Sequence, residues 1–132
     1  MAPLHAVESP TGTFIVGHSN TQLRQWHVSE VSTEGQVVRQ FSSSSLSWPE
    51  HIAVDRQGNI LLADSRNRRI LLLDAQLLLC RVIIDERQLS FRLPRRRYVE
   101  QQPLRLCYVD QSGQLLIGFF YSNVAVFDVL QR

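Results

Sequence analysis

The sequence predicts an all-β protein, and three observations carry that prediction. The apolar runs are four to seven residues long and rich in Val, Ile, Leu and Phe, short of the roughly 10–12 residues that favour a helix. Each run is bounded by Gly, Pro, Asn, Asp or Ser, which supply turn geometry. The chain also repeats itself. Pro3-Leu4-His5-Ala6-Val7-Glu8, Pro49-Glu50-His51-Ile52-Ala53-Val54-Asp55 and Pro103-Leu104-Arg105-Leu106-Cys107-Tyr108-Val109-Asp110 each open a unit, followed by a turn glycine, Gly12, Gly58 or Gly113. These glycines stand 46 and 55 residues apart, a period that points to a repeat architecture.

Each opening segment reads as the first strand of its unit. The second strand follows the glycine, as Phe14-Ile15-Val16-Gly17, Ile60-Leu61-Leu62-Ala63 or Leu115-Leu116-Ile117-Gly118. A third is clear at Ile70-Leu71-Leu72-Leu73-Asp74 and Val124-Ala125-Val126-Phe127-Asp128, and degenerate at Leu23-Arg24-Gln25-Trp26. The first two units add a fourth, around Gln36–Phe41 and Cys80–Ile84.

Four short antiparallel strands in about 45 residues make one blade of a β-propeller, whose inner strands are packed on both faces and read as unbroken apolar runs. A β-sandwich would account for the strands but not for the recurring Pro, Gly and apolar pattern. The expected fold is therefore all-β, a single partial propeller domain over residues 1–132. Its four-stranded antiparallel blades fall near 1–46, 47–92 and 101–132, with an Arg-rich interblade loop at 85–102, and the last blade lacks its outer strand. A propeller closes with about four to eight blades. About three blades imply either a piece of a longer product or self-association of two copies into a six-bladed ring.

The composition suits a globular domain: 132 residues, 44% hydrophobic, 20% charged and a formal net charge of +2. The apolar runs fall well below the roughly 18–20 residues of a membrane-spanning helix, and residues 1–30 carry no basic-then-apolar leader. No membrane association and a cytoplasmic location are expected. Cys80 and Cys107 lie in apolar strands, where buried reduced thiols and no disulfide are expected. All 14 basic residues are Arg. Ten of them lie between Arg66 and Arg105 against four acids, a local +6, and the remainder carries −4.

Residues 49–74 resemble a complete NHL repeat: the opening Pro49, a strand ending in Asp55, the Gly58-Asn59 turn, then Asp64, Asn67, Arg69 and Ile70 in the pattern Asp-x-x-Asn-x-Arg-Ile. In the first unit the motif has decayed to Gly17-His18-Ser19-Asn20, and in the third to Gly118-Phe119-Phe120-Tyr121-Ser122-Asn123. The resemblance implies a blade of a six-bladed NHL propeller, as found at the C-terminal end of many tripartite-motif proteins. The zinc domains of such proteins need Cys/His clusters that two cysteines cannot supply, so no ubiquitin-ligase activity is expected of these residues. Asp64, Asn67 and Arg69 also have a structural reading. Asp and Asn at a strand end accept hydrogen bonds from turn amides, and Arg69 can close a charge-assisted bond on Asp64.

A meander brings the turn between the second and third strands and the interblade connection to one end of a blade. That end collects Arg66, Asn67 and Arg68 with Arg92, Arg95, Arg96, Arg97, Tyr98 and, from the third unit, Tyr121. The expected function is a non-catalytic scaffold binding protein partners through this face. The alternative is RNA or another polyanion, for which arginine and aromatic side chains are suited, and some NHL propellers bind RNA through an electropositive face. A further alternative is a metal-dependent enzyme of the NHL-like propeller class. Its weak candidates are His5 and His51, both two residues after the unit-opening Pro, although the third unit has Arg105 there and such histidines can instead bond adjacent backbone. Ser42–Ser45 reads as a linker that could be phosphorylated, and Trp26 and Trp48 as packing between blades. No cofactor is expected.

Overall fold

The computed structural model describes residues 2–20, 25–78, 80–92, 101–119 and 123–129. Among these described residues, eleven strands form three antiparallel meanders. The first contains β1 (Ala2–Glu8), β2 (Phe14–Asn20), β3 (Gln25–Val31) and β4 (Val37–Ser42), in that spatial order. The second contains β5 (Pro49–Val54), β6 (Ile60–Asp64), β7 (Arg69–Leu73) and β8 (Cys80–Ile84), again in sequence order. The third holds β9 (Arg105–Val109), β10 (Gln114–Gly118) and β11 (Val124–Asp128). The fold is a partial β-propeller of three blades, with three strands in the last among the described residues.

The tight turns follow from side chains that satisfy their own backbone. Asp55 Oδ1 accepts the amides of Gln57 and Asn59, both at 2.9 Å, and its Oδ2 accepts Asn59 Nδ2 at 3.1 Å. Between them Gly58 adopts φ +85°, a left-handed conformation that a β-carbon disfavours.

The middle blade explains the unbroken apolar runs. In β6, Ile60 and Leu62 pack with Ile15, Val28 and Ile52 in the core between the first two blades. Alternate residues Leu61 and Ala63 face the other way, onto Leu106, Leu115 and Ile117 of the third blade. All five β6 residues are buried, as expected of a strand covered on both faces. The outer blades cover one face each, so β10 and β11 alternate between covered and less covered positions and Val124 is 61% exposed.

Three features depart from the sequence reading. The third strand of the first blade runs over Gln25–Val31, well beyond Trp26 where the expected segment ends, and Leu23 and Arg24 of that segment lie outside the described residues. Its buried residues include His27, Ser29 and Glu30, whose polarity hides the strand from an apolar count. Residues 85–102 contain a helix, α1 (Glu86–Arg92). It starts with a reciprocal cap: Asp85 Oδ1 accepts the Gln88 amide, and Gln88 Oε1 accepts the Asp85 amide, both at 2.9 Å. Leu89 anchors the helix, fully buried against the third blade's core. Finally, Cys80 and Cys107 are free and both exposed, not buried. Cys80 stands on the outer strand of its blade, and Cys107 on the uncovered face of β9.

Candidate functional site

The β6–β7 turn is built around Asp64, which is fully buried at the end of β6. Its Oδ1 accepts the amides of Ser47 at 2.9 Å and Trp48 at 3.2 Å. Its Oδ2 accepts Asn67 Nδ2 at 2.8 Å and Arg69 Nε at 2.7 Å. Four donors thus compensate one buried carboxylate. Asn67 and Arg69 both also donate to the Ser45 carbonyl, at 2.6 and 3.2 Å, tying the interblade linker to the turn. The amides served by Asp64 belong to this linker and not to the turn that Asp64 begins.

The turn itself is one 3-10 turn, Ser65–Asn67, closed by Arg68 in a left-handed conformation with φ 51°. Arg68 reaches the interblade connection, donating to Glu86 Oε2 at 2.8 Å and Gln101 Oε1 at 2.6 Å. The two segments expected to share one end of the blade therefore meet there. Arg66 lies with its guanidinium carbon 4.1 Å from the centre of the Trp48 ring, a cation–π arrangement. Trp48 in turn packs on Trp26 of the first blade, ring centres 4.8 Å apart. Arg92 is the last residue of α1. Arg95, Arg96, Arg97, Tyr98 and Tyr121 lie outside the described residues.

A second cluster lies on the inner rim. Strands β1, β5 and β9 are each an edge of their sheet, and they lie side by side across the blades. His5, His51 and Arg105 occupy equivalent positions on them, paired in register with Gly17, Ala63 and Gly118. The two imidazoles stack with centres 3.9 Å apart and planes 29° apart. Each reaches the next blade: His5 Nδ1 accepts the Ile52 amide at 3.1 Å, and His51 Nδ1 accepts the Leu106 amide at 3.0 Å. An Nδ1 that accepts leaves the proton on Nε2. Desolvation, followed by repulsion from His5 and from Arg105, pushes His51 down to about 4. Desolvation and Arg105 also lower His5, against a small opposing pull from Glu50. Both rings are neutral at pH 7. No group of three or more His, Cys, Asp or Glu side chains able to hold a metal ion occurs among the described residues.

Register also reveals positions that sequence reasoning missed. The place of Asp64 opposite Arg69 is taken in the first blade by His18 opposite His27, with ring centres 5.3 Å apart. There, His18 Nε2 bonds Ser29 Oγ at 2.7 Å, and His27 Nδ1 bonds Ser42 Oγ. In the third blade Phe119 and Asn123 follow, joined by the Phe119 amide donating to the Asn123 carbonyl at 2.9 Å. Aligning units on Pro3, Pro49 and Pro103 would have placed His18 at the Asp64 position. The Glu30–Arg39 pair at 2.6 Å, with Thr13 donating to the same carboxylate, leaves no such trace.

No protein-family model matches the chain, and no curated protein matches it in sequence. Solved structures match it in fold. Virginiamycin B lyase from Staphylococcus aureus superimposes with a TM-score of 0.60 at 11% identity, over 98% of this chain and 42% of that one. The likeness is one of fold. A protein of unknown function from Bacteroides caccae gives a TM-score of 0.58 at 12% identity, over 96% of this chain and 46% of its own. The chain thus spans less than half the length of these structures. Among the described residues no helix is long and apolar enough to cross a membrane.

Proposed function

We propose that this chain is a non-catalytic, NHL-like scaffold that binds a protein partner through the end where the β6–β7 turn meets the connection following β8. The observation that carries this reading is the Arg68–Glu86 pair at 2.8 Å. With Arg69 held by Asp64, the described part of the face mixes both signs of charge around a backbone that three blades hold rigid. Fixed turns with mixed charge and a stacked Arg–Trp pair suit a protein surface, where arginine and tryptophan commonly anchor binding. The cytoplasm is the compartment we favour, since two exposed free thiols suit a reducing environment. The polyanion reading draws support from the +6 of residues 66–105. Virginiamycin B lyase is named as an enzyme, but 11% identity offers no residue-level support for catalysis here.

The test is capture of protein and of RNA by the wild-type chain and by Arg66→Glu, at about 50 mM and 200 mM salt. Phosphate-dominated binding falls by orders of magnitude over that range. A bound protein retained at the higher salt and lost in Arg66→Glu supports the scaffold. RNA released by salt and lost in the variant would transfer the face to the polyanion reading. Equal capture by both chains would remove the face from either role.

A further inference from the structure

The inner rim carries a row of donors that the blade packing does not use. Because Nδ1 of His5 and of His51 each accepts an amide of the next blade, each ring must present Nε2 as an N–H donor. Among the described residues neither Nε2 has a partner. The equivalent position in the third blade holds Arg105, which is exposed and gives one N–H to the Leu104 carbonyl at 2.8 Å, leaving most of its fork of donors unused. Glu50 opposes the row at His5, where its charge favours the protonated ring, and it accepts Trp48 Nε1 at 3.3 Å.

Repetition fixes this arrangement. Three side chains at one register position, on three adjacent inner strands, face the same rim of the propeller, and the amide bonds that lock the imidazoles also choose their tautomer. A metal ion would need a lone pair that neither ring offers in this state. An oxyanion needs what the row supplies, namely N–H donors with one permanent positive charge.

We propose that His5, His51 and Arg105 form an oxyanion-binding site on the inner rim, accepting a carboxylate or phosphate group through His5 Nε2–H, His51 Nε2–H and the Arg105 guanidinium. This site uses none of the residues of the turn face and does not depend on the partner assigned to that face.

Inorganic phosphate and acetate, titrated separately at fixed ionic strength against chloride, test the site by calorimetry and by the ring resonances of His5 and His51. Saturable shifts of both rings by either oxyanion support it, and the tighter of the two identifies the ligand class. Arg105→Ala should weaken binding about ten- to a hundredfold, the range for a hydrogen bond to a charged group. His51→Asn should also weaken it while preserving the fold, because the asparagine oxygen can accept the Leu106 amide but Nε2–H is gone. Shifts no larger than those with chloride, or unchanged affinity in Arg105→Ala, would overturn the proposal.

Discussion

Arg69 donates its Nε proton to Asp64 Oδ2 at 2.7 Å across a register pair, and the carboxylate it meets is completely buried. Removing one partner of a buried pair costs more than the pair contributes, because the survivor is left uncompensated. Asp64 also holds the Ser47 and Trp48 amides, so its loss frees the linker between two blades. Asp64→Ala should cost about 3 kcal/mol in urea denaturation. A cycle with Arg69→Ala should show a coupling of about 1–2 kcal/mol. Additive effects would mean that the amides, and not the ion pair, carry the role of Asp64.

The stacked histidines give the blade seam an acid limit. Folding lowers His51 from 6.5 to about 4 and lowers His5 as well. Between those values the unfolded chain binds more protons, so stability is fully present above about pH 6.5 and is lost as pH falls toward 4. Protonated Nδ1 can no longer accept the Leu106 amide, and the new charge faces Arg105 and the other ring. Allowing for partial solvent screening of both rings, about 1–2 kcal/mol should be lost between pH 7 and pH 4. Denaturation midpoints across that range should drop in the wild type and drop less in His51→Asn. An equal slope in both would assign the acid sensitivity elsewhere.

The blades were legible because their cause is local. Unit-opening prolines, turn glycines and apolar runs each act within a few residues, and the middle blade, covered on both faces, shows them in purest form at Ile60–Asp64. Asp64 and Arg69 were legible as a pair for the same reason, five residues apart around one turn. What remained hidden depends on distant register. His27 stands in the Arg69 position only once β2 and β3 are aligned, because nine residues separate it from His18 where five separate Arg69 from Asp64, and a buried strand with His27, Ser29 and Glu30 looks like a loop until Ser42, Gln40 and Arg39 are seen to satisfy it. Cys107 looked buried because its run is apolar, yet a side chain on the uncovered face of an outer blade stays exposed whatever its type.

Two turn glycines with the same backbone separate conformational strain from crowding. Gly35 and Gly58 both adopt φ +85°, but a β-carbon at Gly35 meets nothing within 4 Å, whereas one at Gly58 lies 3.2 Å from Ala75 Cβ. Gly35→Ala should cost about 1 kcal/mol, from the left-handed backbone alone. Gly58→Ala should cost about 2 kcal/mol, since Ala75 must also give way. Thermal and urea denaturation of the two variants compare them directly, and equal costs would show that the turn around Ala75 yields freely.

The helix after β8 stands on a cap and an anchor, and the two should fail differently. Asp85→Ala removes the acceptor for the Gln88 amide and should cost about 1 kcal/mol, the usual loss for an N-cap. Leu89→Ala empties a fully buried position in the core shared with the third blade and should cost about 2–5 kcal/mol. The cap acts on a short helix at the surface, so its loss should raise amide exchange at 86–92 and leave β10 protected. The anchor belongs to the core, so its loss should speed exchange in β10 and in the helix together. If Leu89→Ala costs no more than Asp85→Ala, the helix rests on the blade without holding it.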